Sequence, residues 1–255
     1  MSSATQLTTS QQQEQPAFRA SDYSNDGKKH LLLAASGSVA TIKIPNIVQE
    51  LSHHPNLSIR LILTRSASEF LAGQSHEQPT ISSISSFNNL DSIFHDEDEW
   101  THPWKRGNPI LHIELRRWAH LLVIAPLSAN TLAKITGGFS DNLLTSVVRA
   151  WDTTGLVEAS DFASVRRKRI LVAPAMNTAM WRHPITKKQV GLLEEEWGVK
   201  DGEKEGESGE REEGWFEVLR PQEKELACGD VGDGAMKDWR EIVGVIEKRL
   251  ELNQS

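Results

Sequence analysis

The sequence runs to 255 residues, with 35 acidic against 28 basic residues and a formal net charge of −7. That length suits one sizeable domain, and the acidic balance excludes a broad basic face for a nucleic-acid backbone while allowing one small anion held by backbone amides. The longest apolar runs are far too short to span a bilayer, and a single cysteine, Cys228, rules out a disulfide within the chain, so a soluble, cytosolic protein is expected with no membrane or nucleic-acid partner.

Residues 1–27 are rich in Ser, Gln and Thr and lack the apolar centre of a signal peptide, so a disordered leader is expected ahead of a single domain over 28–255. His30 to Ala35 (HLLLAA) is a continuous apolar run, the mark of a strand buried on both faces, and it ends in Ser36-Gly37-Ser38. Val39 to Leu51 has helical spacing interrupted near Pro45, and Ser58 to Thr64 (SIRLILT) reads as a second strand followed by a short helix through Phe70. Residues 72–98 lack periodicity and predict an irregular excursion with at most short elements. Asn108-Pro109 predicts a helix start, with Leu111, Leu115 and Trp118 on its buried face.

His120 to Pro126 (HLLVIAP) is another buried strand, with a helix over Ser128 to Ile135. Arg169 to Pro174 (RILVAP) repeats the pattern. Residues 201–214 (DGEKEGESGEREEG) are charged and Gly-rich, which predicts a solvated loop insertion. Trp215 to Leu219 reads as a last strand, and Asp238 to Leu250 as a C-terminal helix packed on the sheet. Apolar strands that each end in a small-residue turn before a helix define the fold class: α/β, three-layer and Rossmann-like (flavodoxin-like), with a central parallel sheet.

Four segments carry candidate chemistry. Gly37, Ser38 and Val39 follow the first strand and offer unpaired N–H groups to a phosphate. No GxGxxG or Walker lysine accompanies them, so a mononucleotide suits the turn better than a dinucleotide. Ser128, Ala129, Asn130 and Thr131 follow the HLLVIAP strand on the same sheet edge, where ligands bind in open α/β sheets; they also suit an ordinary helix cap. Ala175, Asn177 and Met180 lie in APAMNTAMW, where the Asn amide needs hydrogen-bond partners. Leu226, Ala227 and Cys228 belong to LACGDVGDGAM, which on composition alone reads as a Gly-rich loop with an inert thiol.

Taken together, ASGSVATIK, LHIELRRWA, VIAPLSANTLAKITGGFSDNLLTSVVRAWD, APAMNTAMW and LACGDVGDGAM resemble the homo-oligomeric flavin-containing cysteine decarboxylases, over most of the chain from His30 to Met236. The resemblance implies FMN as cofactor, no metal, and a homotrimer with sites at subunit interfaces. Gly37, Ser38 and Val39 are then expected at the FMN phosphate, Thr64 and Ser66 at a second contact loop, Ser128, Ala129, Asn130 and Thr131 along the cofactor, and Ala175 near its ring. It further implies His112 as the catalytic histidine, Cys228 as proton donor, and Asn177, Met180, Leu226 and Ala227 as substrate contacts. The implied reaction is decarboxylation of 4′-phosphopantothenoyl-L-cysteine to 4′-phosphopantetheine in coenzyme A biosynthesis, through a thioaldehyde and an enethiolate that is finally reduced. Glu225 stands where a basic residue is expected, leaving Lys224 as the nearest cation. The resemblance leaves other roles open: a subunit of a heteromeric decarboxylase, a regulator binding a protein phosphatase, or a relative acting on a peptide C-terminal cysteine.

Overall fold

The computed structural model describes residues 17–73, 80–101, 103–157, 167–200, 214–225 and 231–253, the side chains of 223–225 and 231 excepted. Its centre is a six-stranded parallel sheet of β1 (Lys29–Ala35), β2 (Leu57–Leu63), β3 (Leu90–Phe94), β4 (Leu121–Leu127), β5 (Arg169–Pro174) and β6 (Phe216–Val218), in the order β3-β2-β1-β4-β5-β6. This is the doubly wound Rossmann order, in which the winding reverses between β1 and β4 and opens a crevice at the carboxyl ends of those two strands.

Burial on both faces explains the continuous apolar runs. Leu31, Leu33 and Ala35 of β1 point to one side, where they meet Ile44, Ile47, Val48 and Leu51 of α1 (Ile44–Leu51) and Ile242 and Ile246 of the C-terminal helix (Trp239–Leu250). Leu32 and Ala34 point to the other, where they meet Leu115, Trp118, Leu132, Leu144 and Val147. The helices between are α2 (Arg65–Phe70), α3 (Ile81–Ile84), α4 (Leu111–Trp118), α5 (Ala129–Thr136), α6 (Leu143–Arg149), α7 (Thr178–Arg182) and α8 (Pro184–Gly191), making the C-terminal helix α9. Alternate residues of one strand thus anchor opposite helical layers, as a period of two requires.

Several expectations need correction. The leader is folded from Phe18 onward: a 3-10 turn at Ala20–Tyr23 lies against the sheet, with the Ala20 N–H donating to Glu114 Oε2 at 2.8 Å. The Arg60 guanidinium, buried in β2, sits 3.9 Å from the Phe18 ring centre and 4.7 Å from that of Tyr23, so aromatic faces accept a cation that the sheet leaves without water. The excursion over 72–98 holds only short elements among its described residues, as expected, although one of them, β3, joins the sheet as an edge strand of mixed burial beside α3. Helix α4 begins at Leu111 with Ile110 at its cap, two residues beyond Pro109, and Leu111 is only half-buried whereas Leu115 and Trp118 are buried. Val39–Lys43 forms a 3-10 turn before α1, because Pro45 is accommodated in the first turn of the α-helix and not within it. Trp215–Leu219 is not the last strand: an antiparallel pair, β7 (Gln222–Glu225) and β8 (Val231–Ala235), follows it. Of the charged segment 201–214, residues 201–213 lie outside the described residues.

Candidate functional site

The crevice at the sheet reversal is a cleft of about 670 Å³. Its floor is a stitched pair of turns. Ser36, fully buried, receives the Ser128 N–H on its Oγ at 2.8 Å and donates both its N–H and its Oγ–H to the Pro126 carbonyl at 3.0 Å. The Ala175 N–H donates to the Leu127 carbonyl at 2.9 Å, so the ends of β1, β4 and β5 are locked side by side. Sequence reasoning overlooked Ser36 as a lynchpin; its signal was a hydroxyl placed where a fully buried run ends.

Each strand end passes into a helix through a side-chain cap. Thr64 Oγ1 accepts from the Ala67 N–H, Ser128 Oγ from the Thr131 N–H and Asn177 Oδ1 from the Met180 N–H at 2.8 Å. The capping role that composition alone suggested for Ser128 is therefore real, and Asn177 has the same one. Capping consumes the Asn177 carbonyl oxygen and leaves its Nδ2 amide as a donor at an exposed edge of the cleft.

Gly37, Ser38, Val39, Ser66, Ser128, Ala129, Asn130, Ala175, Asn177 and Met180 all line this one cleft. Thr64 and Thr131 are buried behind it as cap partners. Further lining side chains that sequence reasoning did not single out are Ile42, Phe70, Met176 and Trp239, an apolar shelf, together with Lys43 near the first turn. Met176 comes from the turn after β5 and the others from helical turns whose residues look like ordinary packing positions, so no local signal marks them. Gln222, Gly234, Ala235 and Met236 close the cleft from the β7–β8 pair. Gly234 is required there: its carbonyl accepts the Met176 N–H at 3.0 Å, and a Cβ would overlap the Met176 carbonyl oxygen. Part of the Gly-rich run read as a loop is therefore strand, glycine because β8 presses on the Asn177 turn. Leu226, Ala227 and Cys228, in the sequence between β7 and β8, lie outside the described residues.

His112 is not part of this cleft. It lies in the first turn of α4, outside the cleft lining, where its Nδ1 is 2.9 Å from Glu99 Oε1.

The residues present fit a flavin mononucleotide. Gly37 approaches Ser66 so closely that a Cβ would sit 2.5 Å from its Oγ, and this narrow turn has unencumbered backbone for a phosphate. Ala129, Ala175, Met176 and Trp239 add apolar lining that suits an aromatic ring system. Among the described residues no group of acidic, His or Cys side chains could hold a metal ion.

Fold and cleft together define a doubly wound α/β protein with a cleft at its sheet reversal shaped for a mononucleotide-like ligand. The chain belongs to the Flavoprotein family, which it matches over residues 19–251. It is 41% identical over 211 residues to the probable phosphopantothenoylcysteine decarboxylase of Arabidopsis thaliana, covering 83% of each chain. It is also 40% identical to a probable thymidylate synthase of Schizosaccharomyces pombe, where the match covers 90% of this chain but 30% of that one. Among solved structures, it is similar to a cysteine-to-serine mutant of PPC decarboxylase complexed with pantothenoylaminoethenethiol, at 39% identity and TM-score 0.65, covering 88% of this chain and 99% of that one. It is similar also to the FMN-binding protein AtHal3, at 38% identity and TM-score 0.63, covering 89% and 100%.

Proposed function

We propose that the chain decarboxylates 4′-phosphopantothenoyl-L-cysteine to 4′-phosphopantetheine, with FMN in the sheet-reversal cleft. The observation that carries this reading is the coincidence, in one cleft, of the Gly37 turn, the apolar shelf and the free Asn177 amide. The 39% identity to a PPC decarboxylase supports it.

Loss of CO₂ from a cysteine-derived carboxyl leaves an electron pair that no side chain can absorb; bound FMN would supply a reversible two-electron carrier, oxidising the substrate so that a thiocarbonyl sink is possible and returning the same two electrons once CO₂ has left. The remaining tasks fall to this chain. Gly37, Ser38 and Val39 would hold the cofactor phosphate, Ser66 buttresses their turn, and Ser128, Ala129 and Asn130, with Thr131 capped behind them, form the wall beside it. Ala175 would line the part of the cleft that takes the ring. Asn177 Nδ2 would donate to the substrate carboxylate and orient it, with Met180 beside it and Leu226 and Ala227 as the further substrate contacts. His112 accepts the substrate proton, a task suited to an imidazole near neutral pH. Cys228 returns a proton to the enethiolate carbon.

Because His112 is not among the residues lining its own chain's cleft, it serves the cleft of a neighbouring copy, which calls for a homotrimer or a comparable closed ring. Exposed Trp100 and Phe139, 66% and 60% accessible, support such a contact face. Among the described residues no helix is long and apolar enough to cross a membrane, and together with the lone cysteine this supports a cytosolic setting.

Incubation of the purified holoprotein with 4′-phosphopantothenoyl-L-cysteine, without added reductant, should yield the decarboxylated saturated thiol by mass spectrometry. Cys228→Ser should still release CO₂ but accumulate the enethiol. Substrate left intact by FMN-loaded protein would refute the assignment.

A further inference from the structure

We propose that Glu99 is the positioning residue of His112: its carboxylate accepts a hydrogen bond from the imidazole Nδ1–H and so reserves Nε2 as the nitrogen that receives a proton from substrate. The inference rests on the decarboxylase reading for the role of His112, but its geometry does not.

Glu99 Oε1 lies 2.9 Å from His112 Nδ1, and the Glu99 side chain is only 5% exposed while that of His112 is 23% exposed. A carboxylate taken this far from water is costly unless partnered, and its other oxygen, Oε2, is buried without a hydrogen bond. His112 is thus the one hydrogen-bond partner that the structure gives this carboxylate among the described residues.

The carboxylate is also held rigidly. Glu99 lies in a 3-10 turn, Asp96–Trp100, closed by the His95 N–H donating to Asp98 Oδ2 at 2.7 Å and the Asp98 N–H to the His95 carbonyl at 3.2 Å. Asp96 Oδ1 accepts the Leu143 N–H at 3.1 Å and ties the turn to α6, while Ser68 Oγ lies 3.3 Å from His95 Nδ1 and ties it to α2. A turn pinned on both sides fixes where Oε1 points. An imidazole whose Nδ1–H is claimed by a carboxylate has its Nε2 lone pair free, and when Nε2 takes a proton the resulting cation already has an anion beside it. No step other than this proton transfer is required of the pair.

The test separates positioning from simple anchoring of α4. In FMN-loaded protein labelled with ¹⁵N-histidine, with His112 signals identified by their absence in His112→Asn, the wild-type ring at pH 8.5 should carry its proton on Nδ1. In Glu99→Gln, whose amide can donate as well as accept, the two tautomers should mix. Its kcat on 4′-phosphopantothenoyl-L-cysteine should fall about 100-fold, within the range of a general-base contribution, with KM and flavin absorbance unchanged. A wild-type proton on Nε2, or a Glu99→Gln enzyme with wild-type tautomer or wild-type kcat, would overturn the proposal. If Glu99→Gln does not fold, the wild-type tautomer decides alone. If wild-type protein leaves the substrate intact, the decarboxylase reading falls while the tautomer still tests Glu99.

Discussion

Replacing Gly37 with alanine tests the tight turn at the heart of the cleft. The new Cβ would meet Ser66 Oγ at 2.5 Å and Ser66 Cβ at 2.6 Å, whereas the next atom, the Ser66 carbonyl carbon, is at 3.6 Å. Ordinary carbon contacts lie at about 3.5–4.0 Å, so the Cβ pair falls short by about 1 Å. The hydroxyl can rotate away, but Cβ is fixed by the backbone of α2, and either that helix or the β1 turn must shift. Overpacking of this kind costs about 1–3 kcal/mol. Serine 66 replaced by glycine removes both offending atoms and leaves only the ordinary 3.6 Å contact. Ser66→Gly carries its own helix-propensity penalty of up to about 1 kcal/mol, but that penalty is common to both arms of a double-mutant cycle. Urea unfolding of the flavin-free proteins, which removes any stabilisation by bound ligand, should therefore show Gly37→Ala destabilising by about 1–3 kcal/mol alone and by close to nothing in the Ser66→Gly background. Flavin affinity should fall with the single variant and recover in part with the double. Equal destabilisation in both backgrounds would show that the Gly37–Ser66 approach is not what demands glycine.

The two roles of Asn177 can be separated. Asn177→Asp keeps the acceptor that caps α7 and loses the Nδ2 donor, so stability should hold within about 0.5 kcal/mol while turnover drops at least 100-fold. Asn177→Ala should in addition cost about 1 kcal/mol for the lost cap. Near-normal turnover of the Asp variant, measured beside its urea midpoint, would rule out the amide as a substrate contact. At the far end of the sheet, His120 Nδ1 accepts the His30 N–H at 2.9 Å. Burial, followed by the positive potential of His30, Lys168 and Lys29 and opposed by Asp26, holds His120 down to about 4 from 6.5. Between those values the unfolded chain binds the extra proton, so this contribution is complete above about pH 6.5 and is lost as pH falls towards 4. Part of the ring is exposed, and solvent screening keeps the effect below a full proton's linkage. The unfolding free energy of His120→Asn should fall less steeply across that window than that of wild type, and parallel pH curves would remove His120 from the account.

The central strands were legible in the sequence because burial on both faces writes itself as a continuous apolar run. HLLLAA, SIRLILT, HLLVIAP and RILVAP each coincide with β1, β2, β4 or β5 to within about a residue at either end. Strand β3 was not legible, since LDSIF at the sheet edge buries only Leu90 fully and alternates weakly thereafter. Nor was the β7–β8 pair, whose QEKE and VGDGA segments have neither apolar run nor alternation and form because β8 docks on the Met176–Asn177 turn. The packed N-terminal residues were hidden for the same reason: Phe18 and Tyr23 acquire meaning only once Arg60, far along the chain, is brought beneath them.

The site divides along the same line. Sequence alone determined a parallel α/β architecture and which turns have chemistry to offer, because strand burial, helix caps and glycine turns are dictated by residues close together in the chain. Only the tertiary structure decided that the Gly37, Ser128 and Asn177 turns share one cleft stitched by Ser36, and that His112 lies outside that cleft, where it meets Glu99. Those arrangements follow from the direction in which each crossover carries its helix over the sheet, and that direction is settled by the sheet as a whole.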